Sequence, residues 1–512
     1  MSMFFQGGAI RQMDLISAQL SDKSNEGSAQ REFIQTVISE FNGSKRRKYM
    51  DVAQRYYEND NDVITDKRMV IGRDPENNAI LKESKVLSNT RLCHNFMKKL
   101  TRQKIGYMLG KPFSLASVEA EDSDAENFFS ELDNYFDKAL YKLIKNVGRD
   151  SIVKGIGWIM VYYDEEGTLR FRRCNSEEVI PLWKDSDHTE LDAVVRQYIV
   201  EQYSGGNKEN IKYVEYYTDI GAFHYIQNKS GELVNNPDYK EQPLPHFSLS
   251  DSRTSIGTNW IKIPFIPFKY DPDEQSLLIR IKSLIDDYDR KTSAISNIIA
   301  DHPNSVTVIK NYDGASKEEF IQNKNEYRTI FVQGDGDAKS LETPFDVVQV
   351  DKHIQRLRED IYEFGQGVNT ADKDIRDTSG VALRFMYADL DMDCVDWGSE
   401  VEWSLSQLIW FMAQDIKART GKDYTDVGYN IIFNTDVIVN ETETVNNCAV
   451  SVGVISGDTI AENHPWTKSA KREIDKMREE QEDTLDLESQ YGEDINSSIA
   501  GQRVSVGQGE AL

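Results

Sequence analysis

Between Asp351 and Thr420 the apolar positions form two helical stripes separated by a polar break. The first stripe is Ile354, Leu357, Ile361 and Phe364, at steps of three and four residues. It stops at Gly365-Gln366-Gly367, where the glycines favour a break. Residues Thr370 to Ser379 follow, polar apart from Ala371 and Ile375, and Thr378 or Ser379 can cap a new helix. The second stripe is Leu383, Met386, Leu390, Cys394, Trp397, Val401, Leu405, Leu408, Met412 and Ile416. Its steps of three, four and four repeat, an eleven-residue period that keeps the stripe nearly straight along the helix. At 1.5 Å per residue the striped part is about 50 Å long. A helix of this length carrying Trp397, Trp403, Trp410 and Phe411 cannot bury itself alone, so it is expected to pack on other domains or subunits.

The same reading predicts helices over Gln30–Phe41, Asn95–Leu109 and Phe128–Val147. Another runs from Asp273 to about Ala300, with Leu277, Ile281, Leu284, Ile285, Tyr288, Ile295 and Ile299 as its stripe. Arg280, Lys282, Arg290 and Lys291 fall among its exposed positions. Lys45-Arg46-Arg47-Lys48 reads as one solvated helical turn, and Asn59–Leu87 as polar and irregular chain. From Gly155 to about Leu233 the period changes. Trp158–Tyr163 and Thr168–Phe171 predict a hairpin, and Val194–Tyr203, Ile211–Tyr217 and Ala222–Gln227 further strands. Together they predict an antiparallel sheet with one wet face. Asn236–Pro272 is a proline-containing connector, extended at Ile263–Lys269.

His302–Val350 reads as a small mixed insert with strands at Val306–Ile309 and Thr329–Val332 and a short helix around Lys317–Gln322. Gly334-Asp335-Gly336-Asp337 is read as a tight turn, because it lacks the ligand order of a calcium loop. Beyond the long helix come a strand at Tyr429–Phe433 and a helix at Glu441–Val452. Another helix opens at Ser456, is interrupted at His464-Pro465-Trp466, and is followed by a charged helix over Lys468–Asp486. The composition after Ser489 predicts disorder. The pattern as a whole is multidomain α+β.

Composition narrows the function. With 39% hydrophobic and 29% charged residues the 512-residue chain can build real cores. No apolar run reaches the roughly 20 residues of a membrane span, and the N-terminus lacks a secretion signal. The net charge of -26 argues against tight wrapping of nucleic acid, though not against a surface past which it slides. A solubilising acidic surface is the commoner meaning of such a charge. Cys93, Cys174, Cys394 and Cys448 are far apart, which points away from a zinc site or disulfide framework and towards a reducing compartment. Gly110-Lys111-Pro112 is a helix stop and not a phosphate loop, since proline follows the lysine. No nucleophile elbow, zinc-protease motif or ligand cluster occurs, so no catalytic, cofactor or metal residue is predicted. His94 and His353 read as surface or core residues, and Asp391 with Asp393 as a solvated helix face. A nuclease built from acids on several elements stays open as the alternative.

Four stretches carry a resemblance to a known family. They are Asn95 with Ile105–Pro112; Ile263–Lys269 with Leu284–Asp289; Asp360–Phe364, Gly367–Asn369, Ser379–Tyr387 and Leu390; and Val439–Glu441 with Glu462–Trp466. In this order, from about Tyr49 to Glu480, the chain resembles the portal proteins of tailed bacteriophages, in the long-tailed branch of Gram-positive hosts. The resemblance implies a homo-oligomeric ring, usually dodecameric, at one capsid vertex. Residues 1–272 would be the N-terminal wing part, 273–301 and 351–367 the two stem helices, and 302–350 the clip. Residues 368–379 would be the tunnel loop, with Asp372, Lys373, Asp374, Arg376 and Asp377 in the channel. Residues 380–455 would be the long wing helix and the C-terminal wing part, 456–490 a helical crown, and 491–512 a disordered tail. Arg280, Lys282, Arg290 and Lys291 would be candidates to face the channel from the stem. The implied partners are double-stranded DNA, terminase, the major capsid and scaffolding proteins and a head-completion adaptor, with no membrane. The implied location is the virion, and the host cytoplasm during assembly. No cofactor and no enzymatic activity are implied.

Overall fold

Ser44 accepts the Arg47 N–H and so restarts a helix directly after another has ended. The two are α1, Glu26–Gly43, and α2, Lys45–Tyr57. The computed structural model describes residues 26–73, 75–76, 78–85, 87–118, 123–204, 207–239, 241–251, 254–301, 305–312, 332–342, 347–370, 380–434, 441–467 and 472–478. The basic run at Lys45 opens α2 as a helical turn, but Arg46 and Arg47 are half-buried, and Arg46 pairs with Glu274.

The stretch expected to be irregular holds a hairpin of β1, Met69–Arg73, and β2, Ala79–Glu83. Its apolar residues face water on both sides, so no buried period marks it. Asn95 caps α3, Phe96–Met108, through the Lys98 N–H, and β3 follows at Ser114–Ser117. One helix was expected over Phe128–Val147, but two occur: α4, Ser123–Leu132, and α5, Lys138–Lys154. Asp137 breaks the run by accepting the Leu140 N–H at 2.7 Å, which caps the second helix. Gly155 ends α5 with a φ of +87°, in a place where a side chain would strike the Glu274 carbonyl.

Strands β4, Ile156–Tyr163, and β5, Leu169–Cys174, form the expected hairpin. An antiparallel meander follows: β6, Val179–Trp183; β7, Leu191–Ser204; β8, Asn207–Thr218; β9, Gly221–Gln227; and β10, Leu233–Asn235. This sheet is not wet over a whole face. Ile34 and Ile38 of α1 cover Ile180, Val195, Val214 and Tyr216 on one side. Val194 and Tyr217 on the other side pack with Trp158 and Phe265. Adjacent valines on both faces of β7 require two covers, and only its far end, with Ile199 and Tyr203, is open. The connector holds the hairpin β11, Phe247–Asp251, with β12, Thr254–Thr258, and then β13, Phe265–Lys269, which joins the edge of β4.

Helix α6 spans Leu278–Asp301. It starts at Leu278 and not at Asp273, because Glu274 has a φ of +56° and Ser276 Oγ accepts the Leu278 N–H. Strands β14, Ser305–Tyr312, and β15, Val332–Glu342, pair with Lys310 opposite Asp337. Gly334–Asp337 therefore lies in a strand and is not the expected tight turn. The short helix expected around Lys317–Gln322 lies outside the described residues. Then come α7, Val347–Phe364; α8, Gly380–Thr420; β16, Tyr429–Ile432, paired with β3; α9, Glu441–Val450; and α10, Gly457–Asn463, capped by Ser456. Residues 472–478 are helical; the rest of the charged helix and the tail after Ser489 lie outside the described residues.

Two compact units result. Among the described residues, the first holds everything through 370 together with 387–434. Its core is the expected stripe of α8. Leu390, Cys394, Trp397, Val401, Leu405, Leu408, Met412 and Ile416 are all buried, and from Trp397 onward they share one cluster with Leu100 and Met108 of α3, Ile144 and Val147 of α5, and Ile266 and Phe268 of β13. Each such side chain contributes about 1.5–3 kcal/mol of burial. The second unit holds residues 380–386 and the short helices α9 and α10, with Val450, Val452, Val454 and Trp466 exposed.

Candidate channel-forming stem

Helices α6 and α7 lie side by side, antiparallel, joined through the β14–β15 hairpin. His353 Nε2 stands 3.4 Å from Asp287, while at the other end of α7 Gly365 approaches Ile281. Leu278, Ile281, Ile285 and Tyr288 of α6 share a core with Leu357, Ile361 and Tyr362 of α7.

A strap of extended chain runs along α6. The N–H groups of Ser88, Thr90, Leu92 and His94 donate to Asp301 Oδ1, Asn297 Oδ1, Ser293 Oγ and Asp289 Oδ1, at 2.8, 2.6, 2.9 and 3.1 Å. The spacing explains the match. Four helical residues rise about 6 Å and two extended residues about 6.6 Å, so each alternate amide meets the next turn of the helix. Asp289 also accepts from Asn61 Nδ2 at 2.6 Å and lies 2.7 Å from His94 Nδ1. Each bond contributes on the order of 0.5–1.5 kcal/mol, and more where the acceptor is a carboxylate.

Two charge clusters hold the inner part of α6. In one, Lys282 Nζ lies 2.7 Å from both Asp62 and Asp286, with Arg55 at 2.9 Å from Asp62 and the Tyr56 hydroxyl on Asp286. Burial raises the Asp62 pKa, but the bonds from Lys282 and Arg55 outweigh it and bring it to about 2. In the other, Asp393 of α8 is buried and accepts from Lys104 Nζ at 2.5 Å, Tyr270 Oη at 2.6 Å and Arg280 Nη1 at 2.8 Å. Burial pushes the Lys104 ammonium below its ordinary value against the pull of Asp393, and drives the Tyr270 hydroxyl well above its own.

Both cations of this second cluster also grip the end of the stem. Lys104 donates to the Gln366 carbonyl at 2.9 Å, and Arg280 to Gln366 Oε1 at 2.6 Å. Gln103 brackets Val368, donating to its carbonyl at 2.7 Å and accepting its N–H at 3.2 Å. Lys99 reaches Thr370 Oγ1 at 3.3 Å. Between them, Gln366 takes the left-handed φ of +48°, while Gly365 and Gly367 make room for Leu100: a side chain on either would meet its methyls at 2.6 and 2.2 Å. The glycines are needed for close approach and not for backbone freedom.

The stem residues singled out from the sequence therefore have partners within the chain. Lys282 is half-buried in the first cluster and Arg280, though an exposed residue, reaches Asp393 in the second, while Arg290 pairs with Asp66 at 3.0 Å and Lys291 with Asp287 at 3.8 Å. Asp372, Lys373, Asp374, Arg376 and Asp377 lie outside the described residues. The reading of Asp391 and Asp393 as one solvated face is corrected. Asp391 is exposed and accepts from Tyr107 Oη at 2.6 Å, whereas Asp393 points into the core. Lys104 and the Asp289-Ser293-Asn297-Asp301 ladder carried no assignment. Their signals were there: Lys104 falls on the buried stripe of α3 beside Leu100, Tyr107 and Met108, and the ladder recurs every fourth residue. Among the described residues no group of three metal-ligating side chains occurs, and no helix is long and apolar enough to cross a membrane.

Comparison with known proteins fits this succession of elements. The portal protein of Bacillus phage SPP1 is 28% identical over 468 residues, covering 90% of this chain and 88% of that protein. The portal protein of Clostridium phage phiCD119 is 26% identical over 456 residues, covering 85% of this chain and 92% of that protein. A chain in the solved virion of a native gene transfer agent particle aligns at 11% identity over 71% of this chain and 88% of its own, with a TM-score of 0.37. A family model described as phage portal protein, SPP1 Gp6-like, matches residues 41–486, and the chain belongs to that family.

Proposed function

We propose that the chain is one subunit of a homo-oligomeric ring, dodecameric as is usual for portals, that forms the DNA channel at one capsid vertex. Double-stranded DNA passes through it during packaging and ejection. Helices α6 and α7 are the stem, and the insert at 302–350 is the clip that docks terminase and later the head-completion adaptor. Residues 368–379 are the tunnel loop, α8 is the wing helix behind it, and 456–490 form the crown. Capsid and scaffolding proteins surround the ring, in the host cytoplasm during assembly and in the virion afterwards. The single observation that carries this reading is the family match across 41–486, which takes in the whole run of stem, insert, stem, loop and spine. It leaves the nuclease reading without support, and we assign the chain no enzymatic step: the motor is another protein.

The charge pattern suits a passive conduit. Arg280, Lys282, Arg290 and Lys291 each have a carboxylate within 4 Å, so α6 offers few unneutralised cations to phosphate. Asp372, Lys373, Asp374, Arg376 and Asp377 continue that mixed charge into the loop. The test is deletion of residues 370–377. Rings are expected to form as before, with DNA packaging or retention impaired; normal packaging by that variant would remove the loop from the mechanism.

A further inference from the structure

The β1–β2 hairpin has no role in this account, yet it carries a concentration of exposed apolar residues. By its register Met69, Ile71 and Leu81 lie on one face, and Ile71 is 80% exposed and Leu81 69%. Ile80 is exposed on the opposite face, and Ile64 and Leu87, which flank the hairpin in the chain, are exposed as well. A two-stranded hairpin without a cover is marginal in water, and an exposed apolar cluster of this kind marks an interaction surface. The root, by contrast, is fixed. Arg68 donates to the Ser88 carbonyl at 2.8 Å and pairs with Asp301, and the same Asp301 takes the first amide of the strap.

We propose that this hairpin is an arm that docks on the stem of a neighbouring copy of the chain, where α6 ends and α7 begins. The inference rests on the ring reading above. Three observations choose a second copy as the occupant. First, residues 64–87 contain five basic and four acidic side chains, in a chain whose net charge is -26. Such a segment can approach another acidic copy with less repulsion than the average surface of the chain. Second, a matching patch exists at the same height. Ile299 near the end of α6 is 68% exposed and Val348 at the start of α7 is 63% exposed, with the exposed Asp351 one turn on. Asp351 is a counter-charge for the exposed Lys82 and Lys85 of the arm. Third, a rotationally symmetric ring joins two different patches of one chain at equal height. The arm is rooted at Asp301, level with Ile299, and its five-residue strands reach roughly 17 Å, close to the breadth of a helix pair.

The experiment compares the full chain with the Ile71→Asp, Leu81→Asp double variant by light scattering over a concentration series. The variant is expected to keep the circular dichroism and unfolding midpoint of the parent, and to need about tenfold or more protein for half-maximal assembly. A Leu81→Cys, Ile299→Cys variant, oxidised as assembled rings, is expected to give a ladder of covalently linked subunits. Unchanged assembly of the aspartate variant, or intact oxidised rings without linked subunits, would overturn the arm. So would a variant that assembles normally but fails to bind terminase or capsid protein, which would give the hairpin to another partner. If the unsubstituted chain forms no ring under any condition, the ring reading falls and the arm with it.

Discussion

The two ends of α6 are held by opposite means. Near its start, Arg280 reaches in from the surface to share Asp393 with the buried Lys104 and Tyr270, and the same cations grip Gln366. At its finish, Asp301 takes one backbone amide and one arginine, Arg68, from which the chain runs directly into the exposed β1–β2 hairpin. The first end is satisfied within the chain, since Lys104, Arg280 and Asp393 partner one another. The second is a rigid root with an apolar surface left over. A chain built this way is firm around Gln366 and leaves apolar surface exposed near Asp301.

The largest way to break this contrast is Lys104→Met. It leaves Asp393 buried with a weaker set of partners and frees the Gln366 carbonyl, for an expected loss of about 3–5 kcal/mol in denaturant unfolding. Adding Asp393→Leu is expected to recover part of that loss; no recovery would mean that the cluster does not act as a charge pair. Next comes Asn297→Ala, which strands the Thr90 amide at a cost of about 1–3 kcal/mol. Amide exchange at Thr90 is expected to quicken, and an unchanged rate would contradict the strap. The acid side offers a third test. Asp62 has its pKa lowered to about 2 from an ordinary 3.8, so its contribution is fully present above about pH 4 and is lost as pH falls through 2. Asp62→Asn is expected to flatten that part of the pH–stability curve. The smallest expected effect is at the open end: Ile71→Asp is expected to change subunit stability by no more than about 0.5 kcal/mol, because nothing within the chain covers it.

Legibility in the sequence followed burial. The α8 stripe was readable because one face is buried from Leu390 to Ile416, with Met386 before it only half-buried, and burial imposes a period. The β1–β2 hairpin was not, because no cover among the described residues selects alternating positions. Asp393 was misread because the same helix puts Asp391 in water two residues earlier, and only tertiary contact with Lys104 separates them. The glycines at 365 and 367 were correctly placed at a break, but their cause, the nearness of Leu100, lies more than 260 residues away in the chain. The single helix expected over Phe128–Val147 failed because its stripe continues through Asp137, whose side chain prefers a capping role.

The central claim is that this chain closes into a ring. Light scattering with negative-stain microscopy of the purified protein, repeated at high concentration with scaffold, tests it directly. Particles of about a dozen subunits around a central hole, the closed symmetry expected of a portal, are the predicted result. A stable dimer or an open filament under both conditions would contradict it.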